Sequence, residues 1–164
     1  MIVDSADVLN LVRSAFPIEP VPVQFFWTKG KDALDHDIPQ ELKNRIAGRL
    51  WADVSLMDWR MTGVSPVVSR HYFEPETFMY YVPSLIVGTS HEIEFIYLAL
   101  EGIIPNNKHH VPRGEWWSEF SGIASPRQRT ALSAFLSHVR SVFWDRIGLA
   151  NQHLLEHAER VWSS

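Results

Sequence analysis

From Leu132 to Val161, apolar residues recur with helical spacing at Leu132, Leu136, Val139, Phe143, Ile147, Ala150, Leu154, Ala158 and Val161. A stripe of that period faces a core only if the segment is an α-helix. Ser125, Pro126 and Gln128 supply its N-cap, first helical residue and capping-box partner. Unbroken, such a helix would run about 55 Å at 1.5 Å per residue, against ~30 Å for the diameter of a small domain. Two outcomes are open: Gly148 breaks the helix, or its end projects. A projecting apolar stripe needs cover, and a homodimer through the C-terminal helix is the simplest way to supply it.

His71 to Gly88 is the second constraint. Pro75 fits a first helical position, where a missing N–H costs nothing, and this puts Phe73 at N′ and Phe78 at N4, the spacing of a hydrophobic staple. Phe78, Tyr81, Val82 and Leu85 continue the apolar face, while Pro83 removes one backbone bond and crowds the carbonyl of Met79, so a kink or an early stop is expected there. Gly88 is read as closing this helix, and Thr89 with Glu92 as the capping box of the next, an apolar segment through Leu100 expected to be the central helix.

The other elements follow the same signals. Ser5 or Asp4 caps a first helix that ends at Pro17; Asp37 with Gln40 starts one bearing Leu42, Ile46 and Leu50; Ser55 with Asp58 starts a short one closed by Gly63. Val21 to Thr28 is β-rich, but Pro20 and Pro22 reduce it to an edge strand or an extended arm. Ile104 to Glu115 reads as the long polar loop and the most mobile element. The expected fold is mainly α, a single-domain orthogonal or irregular bundle of about six helices over residues 1–164, with at most a short N-terminal extended strand.

Composition narrows the function. With 15 Lys and Arg against 19 Asp and Glu, the formal charge is −4, which gives no reason to expect nucleic acid or an anionic membrane. The absence of cysteine excludes thiolate nucleophiles and cysteine-ligated zinc. Asp4 and Asp7 stand where a secretory signal would carry positive charge, and no run approaches the roughly 20 apolar residues that span a bilayer, so a cytoplasmic protein is expected.

Three blocks, Trp51-Ala-Asp-Val, Phe73-Glu-Pro-Glu-Thr-Phe-Met-Tyr-Tyr-Val-Pro, and Ser125-Pro-Arg-Gln-Arg-Thr-Ala with Phe135-Leu136, resemble a bacterial family of small uncharacterised, mainly helical proteins. The resemblance spans roughly Pro39 to Leu136. It implies a bacterial origin and a helical domain, and it carries no activity, catalytic residue or cofactor.

For chemistry, His153-Leu-Leu-Glu156-His157 matches H-x-x-E-H, in which two histidines one turn apart bind zinc and the glutamate activates water. A third ligand would have to come from elsewhere in the chain, for instance His109 or His110. Against this metal-dependent hydrolase stands a solvated helix face. No nucleophile elbow, Walker loop or dinucleotide fingerprint occurs, and neither a catalytic residue nor a cofactor is assigned. The favoured reading is a non-enzymatic protein that binds an unknown protein partner, with an immunity or antitoxin-like inhibitor as its concrete form. Carboxylates at Asp35, Asp37, Glu74 and Glu76, the loop residues His109 and His110, and the rings of Tyr80 and Trp116 are the contact candidates. Of the Trp116–Trp117 pair, one ring is expected in the core and the other partly exposed. Arg127 and Arg129 oppose the dipole at the start of the long helix unless they meet a carboxylate.

Overall fold

In the computed structural model, which describes residues 5–29 and 37–163, eight α-helices follow one another among the described residues: α1 (Ser5–Ala15), α2 (Asp37–Arg45), α3 (Leu56–Arg60), α4 (Pro66–Ser69), α5 (Pro75–His91), α6 (Ile96–Gly102), α7 (Glu115–Ile123) and α8 (Pro126–Trp162). Short 3₁₀ turns at Trp51–Asp53, Arg70–Tyr72 and Ile93–Phe95 fill the joints. The mainly helical class is as expected, with more and shorter helices than the six anticipated.

Helix α5 is the hub, packing on α1, α3, α6, α7 and the Trp51–Asp53 turn. Its entry is stapled as its sequence predicts: Glu74 is the N-cap, Pro75 is N1, and the rings of Phe73 and Phe78 meet edge to face at 5.4 Å. Pro83 does not stop the helix, which runs on to His91. An interior proline costs about 3 kcal/mol, whereas burying one large apolar side chain returns roughly 1.5–3 kcal/mol. Tyr81, Val82, Leu85 and Ile86 are all fully buried around it, so packing outweighs the lost bond.

Gly88 does not close α5 either. It sits where the helix crosses α3, and a Cβ there would meet the Leu56 Cβ at 3.0 Å. The capping box expected at Thr89 is therefore absent: Thr89 lies inside the helix and its hydroxyl donates to the Leu85 carbonyl. The segment expected to be central becomes the Ile93–Phe95 turn and the seven-residue α6. Likewise α2 ends at Arg45, before Leu50, and the chain turns at Gly48 with φ +77°. The capping boxes at Ser55 and Ser125 form as their spacing predicts.

No strand forms among the described residues. Residues 21–28 are an extended arm pinned to the start of α5: the Glu74 N–H donates to the Phe25 carbonyl, the Trp27 N–H to the Tyr72 carbonyl and the Thr77 hydroxyl to the Gln24 carbonyl, leaving one isolated bridge between Phe26 and Phe73. At its far end the exposed Lys29 ammonium reaches Glu115 and Glu119 on α7.

The large rings form a continuous core in which their polar ends also hold loops. The Trp51 indole donates to the Phe16 carbonyl, Trp116 to Phe73 and Trp162 to Ile103, while the Tyr81 phenol donates toward the carbonyls of Ile46 and Arg49 just past α2. Each ring thus buries apolar surface and satisfies a carbonyl that would otherwise be orphaned at a helix end.

Arg70 does the same with a charge. Its side chain is fully buried, and Nη1 donates to the carbonyls of Glu101 and Gly102 in the last turn of α6 and of Ile104 just past it. The guanidinium lies 5.2 Å and 5.4 Å from the ring centres of Trp116 and Trp117. A cation belongs at a helix C-terminus, where unpaired carbonyls concentrate negative potential. Burial pulls its pKa down to about 10, which leaves it charged at neutral pH.

Helix α8 resolves the length problem by breaking. Gly148 has φ +82° and ψ 164°, a backbone region that is essentially glycine's alone. The two arms, 126–147 and 149–162, fold back on each other there. Arg140 donates two bonds, of 2.8 and 2.6 Å, to the Glu159 carboxylate. On a straight helix residues this far apart in sequence would be separated by about 28 Å. The second arm does not project: its inward face runs through Leu155, Ala158 and Trp162, which are fully buried in the core of this chain, whereas of the stripe expected on this arm only Ala158 is fully buried, Leu154 and Val161 are half-buried and Ala150 is exposed. Gly148→Ala is expected to cost on the order of 1–3 kcal/mol from backbone strain. Nothing lies within 4 Å of the added Cβ, so crowding is not the cause. A urea titration checks this, and an unchanged midpoint would show that the arms do not depend on that backbone geometry.

Candidate functional site

The arm, the start of α5 and the α7–α8 junction leave a groove of about 380 Å³ between them. Phe16, Met79 and Ile123 give it an apolar surface, Pro17, Pro20 and Pro22 form one side, and Glu19, Glu76 and Gln128 supply polar groups. The elements explain the placement. Phe16 and Pro17 follow the end of α1, Glu76 and Met79 sit on the first turns of α5, and Ile123 is the last residue of α7. Tyr80 braces the segment that leads into the arm: its phenol donates to the Ile18 carbonyl and accepts the Trp51 N–H at 3.0 Å. Burial pushes this phenol above the usual tyrosine range, so it stays neutral and serves as a wall.

Glu19 and Glu76 are exposed, and among the described residues neither carboxylate has a hydrogen-bond or ion-pair partner. Prolines fix φ and shorten the list of conformations the wall can adopt, so the groove is formed before anything enters it. What it offers is apolar surface flanked by negative charge.

The residues singled out from the sequence fall into separate places. Glu76 and Tyr80 belong to the groove. Glu74 caps α5 and is half-buried, with Oε2 enclosed and unpaired. Asp37 is exposed on the first turn of α2 and lines no part of the groove, and Asp35 lies outside the described residues. Trp116 is not a surface anchor. Both it and Trp117 are buried, at 5% and 6% exposure, because Arg70 draws the two rings around its guanidinium.

His109 and His110 lie on the loop before α7, and the His110 ring meets that of His157 on the second α8 arm at 4.5 Å. Among the described residues, no group of three His, Asp or Glu side chains converges to hold a metal ion, so His153, Glu156 and His157 lack the third ligand that the H-x-x-E-H reading needs. The loop itself is tied down. The Asn107 side chain accepts from the Val111 N–H and donates to its carbonyl, and the His110 N–H donates to the Asn107 carbonyl.

Two groups of residues escaped the sequence reading. Glu19 sits in a proline-rich stretch with no periodicity to assign it a face. Arg70 lies in a polar run whose burial follows only from the helices around it. Arg127 and Arg129, expected to seek carboxylates, instead donate to the Ser14 hydroxyl and the Ser121 carbonyl. Among the described residues no helix is long and apolar enough to cross a membrane. The chain matches no family model, no curated protein and no solved structure.

Proposed function

We propose that this protein acts by binding another protein, without catalysis of its own, and that the groove beside Tyr80 takes a basic segment of that partner. The observation that carries this reading is the pair of unpartnered carboxylates, Glu19 and Glu76, bordering a preformed apolar groove in a chain of net charge −4. A Lys or Arg of the partner would reach the carboxylates while a neighbouring Leu, Ile or Phe packs on Met79 and Ile123. Of the other polar groups that line the groove, the Tyr80 phenol is engaged by the Ile18 carbonyl and the Trp51 N–H, and the Ser125 hydroxyl by the Gln128 N–H. The most concrete form of the proposal is an immunity-type inhibitor whose acidic surface covers a basic toxin.

A random heptapeptide library panned on the folded protein tests it. Enrichment of peptides joining Lys or Arg to a large apolar residue is expected, with binding weakened about tenfold or more by Glu19→Lys together with Glu76→Lys. Both residues are exposed, so the variant should fold, and circular dichroism verifies that. Absence of enrichment, or binding indifferent to the two reversals, overturns the proposal.

A further inference from the structure

A second cavity, of about 460 Å³, lies between the loop before α7, the first turn of α8 and the last turns of α8. His109, His110, Arg129, His157 and Arg160 line it over the Trp117 ring, and no carboxylate does. In an acidic protein this is a local concentration of cationic and cation-forming groups. Arg45, Arg49 and Arg140 all pair with carboxylates elsewhere. Arg129 and Arg160 do not: Arg129 donates to the Ser121 carbonyl and stacks over Trp162 at 5.2 Å, and Arg160 donates weakly to the Glu156 carbonyl at 3.3 Å.

His110 adds an independent sign of a built site. Its φ of +51° is the one positive value at a non-glycine residue among those described, and such strain persists where surrounding structure enforces it, often at ligand sites. Its Nδ1 lies 3.0 Å from the Pro105 carbonyl, which can only accept, so Nδ1 carries the hydrogen, and Nε2 donates to an anion when the ring is an imidazolium. The ring is thereby held 4.5 Å from that of His157.

We propose that this cavity binds a tetrahedral oxyanion of the phosphate class, held between the imidazoles of His110 and His157 and the guanidiniums of Arg129 and Arg160. Guanidinium and imidazolium N–H groups are donors that suit phosphate oxygens, and the Trp117 floor excludes water from one side. Metal ions are disfavoured by the same two arginines.

The charges around His157 set the pH dependence. Burial first, then the cationic neighbours His110, Arg160 and His153, hold its imidazole below the usual histidine range, while Glu156 pulls the other way. Glu101 on α6 faces His110, its own carboxyl raised by burial and lowered by that histidine. An anion in the cavity reverses the repulsion, so binding raises the His157 pKa and takes up protons. By linkage, an anion of fixed charge binds more tightly as pH falls from about 8 to about 6.

NMR titration of the histidine ring signals with inorganic phosphate, sulfate and phenyl phosphate, at constant ionic strength, tests this. All three are expected to shift His110 and His157 and to leave the exposed His91 unmoved, with sulfate affinity rising on acidification. Phenyl phosphate binding more tightly than phosphate identifies a phosphomonoester as the natural source, and equal binding identifies the free ion. Arg160→Gln and His157→Asn, both outside the fully buried core, should each weaken binding about tenfold. The proposal is overturned by equal shifts at His91, by binding unchanged in both variants, by no response at millimolar anion, or by stoichiometric zinc bound through His110 and His157.

Discussion

Arg70→Met is expected to lower the free energy of unfolding by about 3–5 kcal/mol, read from urea denaturation followed by tryptophan fluorescence. Methionine keeps a flexible apolar stem against Trp116 and Trp117, so the loss isolates the guanidinium. Two effects compete. Removing a buried charge relieves its desolvation cost, which favours the variant. Against that, the buried carbonyls of Gly102 and Ile104 lose their donor, and each orphaned group costs roughly 1–3 kcal/mol, while the Glu101 carbonyl keeps a backbone N–H partner. Two buried carbonyls outweigh one desolvated cation, particularly at a helix C-terminus where their potentials add. Arg70→Lys should recover only part: all three bonds come from Nη1 and an ammonium can replace some of them, but it lacks the flat guanidinium face that lies against the Trp116 and Trp117 rings. A loss below about 1 kcal/mol for Arg70→Met would mean that water reaches those carbonyls and that the arginine is not what holds them.

Trp162→Ala should cost a similar amount, about 3–5 kcal/mol, although the residue stands near the end of the described chain. Its ring is 1% exposed, meets Trp117 and Phe120 edge on, and donates from Nε1 to the Ile103 carbonyl at 2.7 Å. Trp162→Phe separates the terms, since it retains most of the packing and should lose only about 1–2 kcal/mol with the hydrogen bond. Arg70 and Trp162 both bind carbonyls of residues 101–104, so the double variant should depart from the sum of the single effects. Strict additivity would indicate that the two restraints act on independent parts of the structure. A Trp162→Ala variant as stable as the parent would show that the second α8 arm does not complete the core.

How much of the fold was legible depended on how local its cause was. The staple between Phe73 and Phe78, and the boxes at Ser55 and Ser125, rest on contacts within five residues, and all formed where their spacing placed them. Gly88 closes no helix and Pro83 does not end one early, for the opposite reason. A glycine and a proline look like punctuation in a local window, but here one admits Leu56 and the other is outweighed by buried neighbours. The candidate site was less legible still. Glu76 and Tyr80 stood out, yet Glu19, Ile123 and Gln128 are brought beside them by chain segments about 50 residues away on either side.

Residue order alone was enough for the helical class, the first turns of α3, α5 and α8, and the choice between a break and a projection at Gly148, because periodicity, capping and glycine's dihedral freedom act over one or two turns. Which way that choice went, which indoles were buried, where a lone arginine could shed its water, and how two histidines came to face two arginines were settled by packing. Those outcomes depend on burial and on partners far away in the chain, and neither is encoded in any short stretch of sequence.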